Sequence, residues 1–253
     1  MVINLSKKLK YYILAWLAFA LLFAFLIYLV ASKNSNYVRT SGEVNAAKAT
    51  IIIDAGHGGE DGGTSAADGT LEKDINLSIS LKLSDMLQMA GFNVIMTREN
   101  DVSIHSDEAK TTRQRKVSDI RNRMKIIEET ENAFFVSIHQ NHFGSAKYNG
   151  TQVFYSKNNP ESEVLAKDIQ QSVVSLIQPE NTRAVKKTGT EIYLLYHAQV
   201  PAVMVECGFL SNAAETQKLK SDEYQGQMAF SIFCGILNYF TAIKNDVLTT
   251  EVT

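Results

Sequence analysis

Hydrophobic positions along this chain follow two different patterns. Residues 11–32 form one long run without a charged side chain, whereas from residue 50 onward short apolar runs alternate with segments of helical periodicity. Short apolar runs are typical of strands buried on both faces, and their alternation with amphipathic helices is typical of an α/β domain. The pattern predicts a single α/β domain with a twisted, mostly parallel central sheet flanked by helices, preceded by one transmembrane helix.

The individual elements are predicted from the same runs. Strands are expected at residues 51–53, 92–97, 133–138, 150–155, 191–195 and 202–205, and helices at 72–90, 161–177 and 222–243. The strand at 150–155 is the one expected to run antiparallel. A further helix within residues 101–131 is highly charged, and we expect it to be solvated together with its arginines, Arg113, Arg115, Arg121 and Arg123.

The uncharged run at residues 11–32 has the length of a membrane span. A transmembrane helix needs roughly 20 apolar residues, and Lys7, Lys8 and Lys10 precede the run. Basic residues tend to remain cytoplasmic, so we expect residues 1–10 inside the cell and the following domain outside. A cleaved signal peptide is the alternative, although its apolar region usually spans only about 7–15 residues. Both interpretations place the domain outside the cytoplasm.

The rest of the chain divides by composition. Residues 33–49 are polar and predict a linker, residues 50–243 contain the domain, and residues 244–253 are expected to form a frayed tail. The chain has 25 basic and 27 acidic residues and two cysteines, Cys207 and Cys234. Near-neutral charge argues against nucleic-acid binding, and two cysteines exclude a disulfide-rich scaffold or a zinc site of several thiolates. The pairing of these two cysteines stays open.

Candidate chemistry is concentrated where apolar runs end. A glycine-rich segment, residues 54–63, follows the first strand and contains His57, while His139 and Glu206 each stand at the end of an apolar run. The segment lacks the glycine spacing of phosphate-binding loops. Ligands of open α/β sheets bind beyond the carboxyl ends of the strands, so we expect these three side chains to converge there if their strands are parallel.

Two histidines and one carboxylate, with a position left for water, are common ligands of catalytic zinc. The carboxylate ligand must lie near the same edge of the sheet, and on spacing alone the candidates are Glu60, Asp61, Asp68, Glu72 and Asp74. Glu72 is attractive because it opens a predicted helix. An acid at a helix start also simply complements the helix dipole, so spacing does not decide the choice.

Five segments in order resemble the zinc-dependent N-acetylmuramoyl-L-alanine amidases of the Amidase_3 family. They are IIIDAGHGGEDGG at 51–63, LEKDINL at 71–77, VIMTR at 94–98, FVSIHQN at 135–141 and PAVMVECGFLSN at 201–212. The resemblance covers about residues 50–240. It implies that His57, Glu72 and His139 bind Zn²⁺ and that Glu206 is the catalytic acid/base. The single membrane segment and bare catalytic domain are similar to those of spore-cortex amidases used in germination, which prepare muramic δ-lactam.

The resemblance also suggests what the protein binds. Its substrate would be peptidoglycan, and Asn141 and Arg98 are candidate substrate-binding residues, with Arg98 offering a planar fork for a carboxylate or a structural ion pair. An accessory activator protein is an open possibility. His142 is an additional imidazole beside the site.

Two alternative functions remain open from the sequence. One is a zinc peptidase that cuts within the stem peptide, and the other is a non-catalytic, membrane-anchored wall-binding protein. Some members of the Amidase_3 family carry an inhibitory helix inserted after the strand that corresponds to the His139 strand. Here only residues 143–149 separate that strand from the next one, so the resemblance implies that this insertion is absent.

Overall fold

A computed structural model describes residues 49–250, with side chains described through residue 242. The predicted transmembrane segment at residues 11–32 and nearly all of the predicted linker lie outside the described residues. Within the described part of the chain, no helix combines the length and the apolarity needed to cross a membrane.

The described residues form six strands and six helices. The strands are β1 (Thr50–Ala55), β2 (Asn93–Met96), β3 (Ala133–Asn141), β4 (Gln152–Tyr155), β5 (Lys186–Lys187) and β6 (Ala202–Phe209). The helices are α1 (Glu72–Met89), α2 (Thr112–Glu129), α3 (Glu161–Leu176), α4 (Tyr193–His197), α5 (Ala213–Leu219) and α6 (Asp222–Thr250).

The strands form one sheet in the order β2-β1-β3-β6-β4-β5. Every neighbouring pair is parallel except β4 with β6, which is antiparallel. The mostly parallel α/β sheet and the antiparallel β4 are therefore confirmed. Because β1, β3 and β6 are parallel neighbours, the residues that follow or end them lie together at one edge of the sheet.

Helices cover both faces of the sheet, which explains the continuous apolar runs of its central strands. Ile51, Ile52 and Ile53 of β1 are all fully buried. On one face, Ile52 packs in a cluster with residues of α2 and α4, among them Met124 and Leu195. On the other side, helix α6 packs against both α1 and α3. The core therefore lies in two layers, one on each face of the sheet.

Two predicted elements differ in the structure. The expected strand at residues 191–195 is instead the helix α4, closed by the hydrogen bonds from Tyr196 N to Ile192 O and from Ala198 N to Leu194 O. A short apolar run fits a strand and a buried helical turn equally well. The final helical region begins with the separate helix α5, and α6 continues to Thr250, into the segment predicted as a tail.

Arg123 corrects a further expectation, since it lies on the charged helix α2 but is only 3% exposed. Its guanidinium forms an ion pair with Asp54, which is 1% exposed, and its Nε donates to Asp119 Oδ2 at 2.6 Å. The Asp54 carboxylate also accepts hydrogen bonds from Ser137 Oγ at 2.6 Å and Thr97 Oγ1 at 2.9 Å. This polar network lies beneath the end of β1.

The network fixes the loop that leaves β1. Arg123 Nη1 donates to Ala55 O at 2.9 Å, and its Nη2 donates to His57 O at 2.8 Å. The Arg123 guanidinium therefore connects helix α2, a buried carboxylate and the backbone on which His57 stands.

We predict that Arg123→Met destabilises the domain strongly. Removing one partner of a buried ion pair leaves Asp54 charged and uncompensated, at a cost of about 3–5 kcal/mol in free energy of unfolding. Arg121→Met on the exposed face of the same helix is the matched control, and it should change that free energy by less than about 0.5 kcal/mol. Urea denaturation of both variants measures the difference, and equal stability of the two would contradict the account.

Candidate metal centre

His57 is held in an unusual backbone conformation. Its φ is 62°, and the following residues Gly58 and Gly59 have φ of 138° and 59°. A non-glycine residue in the left-handed region is uncommon and persists when its surroundings impose that conformation. Here the Arg123 hydrogen bond to His57 O does so, and the two glycines allow the chain to turn back.

Two glycines make room for the ligands themselves. A Cβ atom on Gly56 would lie 2.2 Å from His139 Nε2, and a Cβ on Gly63 would lie 2.5 Å from Glu72 Oε2. Neither contact is possible for a real side chain. The glycine content of the 54–63 segment therefore serves close packing around imidazole and carboxylate groups.

Arg98 does not take the substrate-binding place expected for it. It is 3% exposed, and its Nε donates to Ala55 O at 2.9 Å. Its Nη2 donates to Gly56 O at 3.1 Å and to Lys73 O at 2.8 Å. These carbonyl groups occupy the planar fork that a substrate carboxylate would need, so Arg98 supports the β1 loop from within the protein.

His57, Glu72 and His139 form one cluster, in which each residue offers a ligand atom within 4.8 Å of the others. His57 comes from the loop after β1, Glu72 is the first residue of α1, and His139 lies near the end of β3. Glu72 Oε2 lies 3.3 Å from His57 Nε2, and its Oε1 accepts from His139 Nδ1 at 2.8 Å. The two imidazole rings meet edge to face with centroids 5.0 Å apart.

Of the five acids that fit on spacing, the structure brings Glu72 into this cluster. Its Oε2 accepts from Thr64 N at 2.8 Å, and its Oε1 accepts from Gln140 N at 3.1 Å and from Asn76 Nδ2 at 3.3 Å. Such contacts orient a metal-binding carboxylate. The other four acids lie elsewhere: Asp61 binds the far side of His57, Glu60 binds Arg115, Asp68 binds Lys220, and Asp74 is exposed.

Asp61 completes the surroundings of His57. Its carboxylate accepts from His57 Nδ1 at 2.9 Å and lies 2.8 Å from Lys116 Nζ. A histidine whose second nitrogen is held by a carboxylate is the usual arrangement of a metal-binding imidazole. With Nδ1 engaged in this way, His57 directs Nε2 toward Glu72 and the centre of the cluster.

Protonation in the cluster follows from these contacts. Burial lowers the pKa of His57, but hydrogen bonds with Asp61 and Glu72 outweigh it and raise that pKa to about 9. Burial raises the pKa of Glu72, but the neighbouring imidazoles hold it well below its usual range. The cluster therefore favours positive charge at its centre, where a divalent cation would replace protons.

Glu206 lies beside the cluster without belonging to it. It is the register partner of His139 on the neighbouring strand β6, so both side chains point to the same face. Its Oε2 is shielded from solvent and has no hydrogen-bond partner among the described residues. Burial raises the pKa of this carboxyl to about 7. A shielded carboxyl oxygen without a hydrogen-bond partner is costly, so its position points to a chemical role.

Asn141 stands two residues after His139 on the same face of β3, where it is half-buried. Its backbone O accepts from Leu210 N at 2.8 Å, and its side chain makes no hydrogen bond within residues 49–242. His142 is exposed and outside the cluster.

Sequence reasoning missed two supporting residues. Asn76 links Glu72 to Gly56 O, and its position four residues after Glu72 on a helix was an available signal. Arg123 gave no such signal, because α2 is rich in exposed charged side chains, among them Arg121 and Lys125.

The fold and the site define a class of protein before any comparison. Two histidines and a glutamate converge at the carboxyl edge of a parallel sheet, beside a protonatable carboxyl group. This is the arrangement of metal-dependent hydrolases that use two histidines and one carboxylate.

Comparison with known proteins identifies the family. A family model described as N-acetylmuramoyl-L-alanine amidase (Amidase_3) matches residues 51–238. The germination-specific N-acetylmuramoyl-L-alanine amidase of Bacillus subtilis is 38% identical over 244 residues, which cover 94% of this chain and 97% of that protein. The chain belongs to the N-acetylmuramoyl-L-alanine amidases, enzymes that cleave the amide bond between N-acetylmuramic acid and L-alanine in peptidoglycan.

Solved structures agree with this assignment. The CwlD amidase from Clostridioides difficile, determined in complex with the GerS lipoprotein, superposes with a TM-score of 0.74 at 44% identity, covering 77% of this chain and 99% of that one. AmiC2 of Nostoc punctiforme gives a TM-score of 0.66 at 30% identity, covering 77% and 98%. The expected family resemblance is thus confirmed, and an enzyme is favoured over the non-catalytic alternative.

We predict that metal affinity rises with pH. A metal-bound imidazole must be neutral, so below pH about 9 binding has to displace a proton from His57. One displaced proton makes the affinity increase roughly tenfold per pH unit. Competition with a fluorescent zinc chelator between pH 6 and 8 measures this slope.

Two variants control that measurement. Asp61→Asn removes a hydrogen bond that raises the His57 pKa, so it should flatten the slope, whereas His142→Ala should leave it unchanged. An affinity independent of pH in the unmodified protein would contradict the account.

Proposed function

We propose that the chain hydrolyses its amide substrate with a zinc ion bound by His57, Glu72 and His139 and with Glu206 as the proton-transferring group. Two neutral-nitrogen donors and one carboxylate suit Zn²⁺, and their ligand atoms lie within 4.8 Å of one another. The observation that carries the proposal is the unpaired Glu206 Oε2 beside this donor set. Among the described residues, none donates a hydrogen bond that would compensate for the shielding of this oxygen from solvent.

The zinc ion, Glu206 and Asn141 have different roles in the proposed reaction. A bound zinc ion supplies Lewis acidity, which polarises a carbonyl and makes water easier to deprotonate. Glu206 accepts a proton from the attacking water and returns it to the leaving amine. A carboxyl whose pKa is raised to about 7 is suited to both steps near neutral pH. Asn141, whose side chain makes no hydrogen bond within residues 49–242, is placed to hydrogen-bond the substrate beside His139.

We predict that Glu206→Gln keeps the metal and loses hydrolysis. The amide has similar shape but cannot accept the proton, and general acid–base catalysis typically contributes about 10²–10⁴-fold in rate. Metal content by mass spectrometry and the release of stem peptides from peptidoglycan measure the two properties. The control is Glu180→Gln on the exposed surface, which should retain both.

Product analysis in the same experiment separates an amidase from a stem-peptide peptidase. The amidase releases intact stem peptides with a free L-alanine amine, and a chelator should abolish that release. Cleavage at the normal rate by Glu206→Gln would contradict the proposed role.

We infer that the biological substrate is the peptidoglycan of the spore cortex. The inference rests on the similarity to the germination-specific amidase of Bacillus subtilis over nearly the whole of both chains. The similar CwlD amidase was solved in complex with the GerS lipoprotein, and we propose that an accessory lipoprotein also assists this enzyme. Release of the stem peptide from muramic acid would then prepare that sugar for δ-lactam formation.

The location of the domain is part of this proposal. We propose that residues 11–32 anchor the protein in a membrane with residues 1–10 in the cytoplasm and the catalytic domain outside. The support is the uncharged run and the preceding Lys7, Lys8 and Lys10. Peptidoglycan lies outside the membrane, so substrate and domain would share a compartment.

We predict that the full chain restores muramic δ-lactam to spores of a strain that lacks its own cortex amidase, measured by muropeptide analysis. A chain without residues 1–32 should not restore it, because the domain would stay in the cytoplasm. Full-length Glu206→Gln is the matched inactive control. Restoration by the truncated chain would contradict the proposed location, and failure of the full chain in spores that also carry the accessory lipoprotein would contradict the cortex substrate.

A further inference from the structure

We propose that Arg183 binds a carboxylate of the stem peptide and thereby positions the substrate beside Glu206. The inference rests on the proposed function, because it assigns a substrate contact at that site. Arg183 belongs to the loop between α3 and β5 and is half-buried. Neither the strand-end pattern nor the metal cluster includes it.

The position of Arg183 follows from the register of three neighbouring strands. His139 on β3 pairs with Glu206 on β6, and Glu206 pairs with Gln152 on β4. Directly paired residues project to the same face of a sheet. Arg183 Nη1 donates to Gln152 Oε1 at 2.9 Å. The guanidinium therefore continues a row that starts at the metal cluster and passes through Glu206.

The guanidinium is held in place before any substrate binds. Its Cζ lies 4.6 Å from the centre of the Phe209 ring, and its Nε donates to Asn149 O at 2.9 Å. Asn181 fixes the loop, since its Oδ1 accepts from Arg183 N at 3.0 Å while its Nδ2 donates to Thr151 O at 2.8 Å. A fixed, planar fork is the preferred partner of a carboxylate.

Part of that fork is available. Within the described residues, Nη2 of Arg183 makes no hydrogen bond, and no carboxylate forms a salt bridge with the residue. Arg98 offers the contrast, because backbone carbonyl groups occupy its buried guanidinium. Arg183 is thus the arginine beside Glu206 that retains donors for a ligand.

The distance suits a peptide that runs away from the scissile bond. His139 and Gln152 are separated by two strand spacings, roughly 10 Å. An extended peptide spans about 3.5 Å per residue, so two or three residues cover this gap. Stem peptides carry a carboxylate on the second residue and, in walls with diaminopimelate, another on the third. Either carboxylate could meet the guanidinium.

The charges around the site favour the contact between Arg183 and a peptide carboxylate. A stem peptide with free carboxylates is negatively charged, so cationic side chains beside the metal cluster attract it. Arg183 and Lys186, whose ammonium lies 5.7 Å from the centre of the Phe154 ring, place positive charge on the β4–β5 side. We infer that the stem peptide leaves the cluster in this direction.

The experiment compares the wild-type enzyme, Arg183→Gln and the exposed-site control Arg113→Gln on synthetic muramoyl peptides. Each peptide has free carboxylates, or a carboxamide at the second residue, or a carboxamide at the third. For wild type, amidation of the recognised carboxylate should lower kcat/KM about tenfold to a hundredfold. Arg183→Gln should show a similar loss on the unmodified peptide and no further loss on the amidated one.

The controls separate recognition from folding and from catalysis. Arg113→Gln should keep the wild-type preference, and zinc content and urea unfolding should be unchanged in Arg183→Gln. Binding of the same peptides to zinc-loaded Glu206→Gln, measured by calorimetry, reports recognition without turnover, so a failed hydrolysis assay would overturn the proposed function alone. Equal losses of Arg183→Gln on all peptides, or no effect of amidation on wild type in either assay, would overturn the role of Arg183.

Discussion

The candidate metal centre depends on the conformation of the loop that leaves β1. His57 is held at a φ of 62°, a conformation that the buried Asp54–Arg123 pair and the backbone contacts of Arg98 impose from below. The sheet supplies His139 and Glu206 in fixed register, so the loop is the part of the site with the most freedom. Two buried arginines remove that freedom by binding successive carbonyl groups. The position of His57 therefore depends on the buried Asp54–Arg123 ion pair and on the hydrogen bonds of both arginines to the loop backbone.

Because the two buried arginines hold the β1 loop in place, a small number of residues is enough to form the site. The three candidate metal ligands come from a loop, a helix start and a strand, and Glu72 is common to the contacts of both histidines. Glu206 remains outside that set with a shielded oxygen. In the proposed mechanism, metal binding and proton transfer are therefore carried out by different residues.

Much of this could be predicted from the sequence because burial leaves a strong pattern. The Ile51–Ile53 run and the apolar stretches before His139 and Glu206 predicted the strands and their common edge. The helix α4 could not be predicted, because the short run near Leu194 fits two structures equally well. Arg98 and Arg123 were misjudged because local sequence does not show which long polar side chains fold inward onto distant carbonyl groups. The choice of Glu72 among the five candidate acids needed either the family resemblance or the structure.

The most direct test of the central claim is anomalous X-ray scattering at the zinc absorption edge from crystals of the zinc-loaded enzyme. The account predicts one peak among His57, Glu72 and His139, with Glu206 nearby but outside the ligand set. A peak bound by Asp61 or Glu206 in place of Glu72, or no peak at this edge of the sheet, would contradict it.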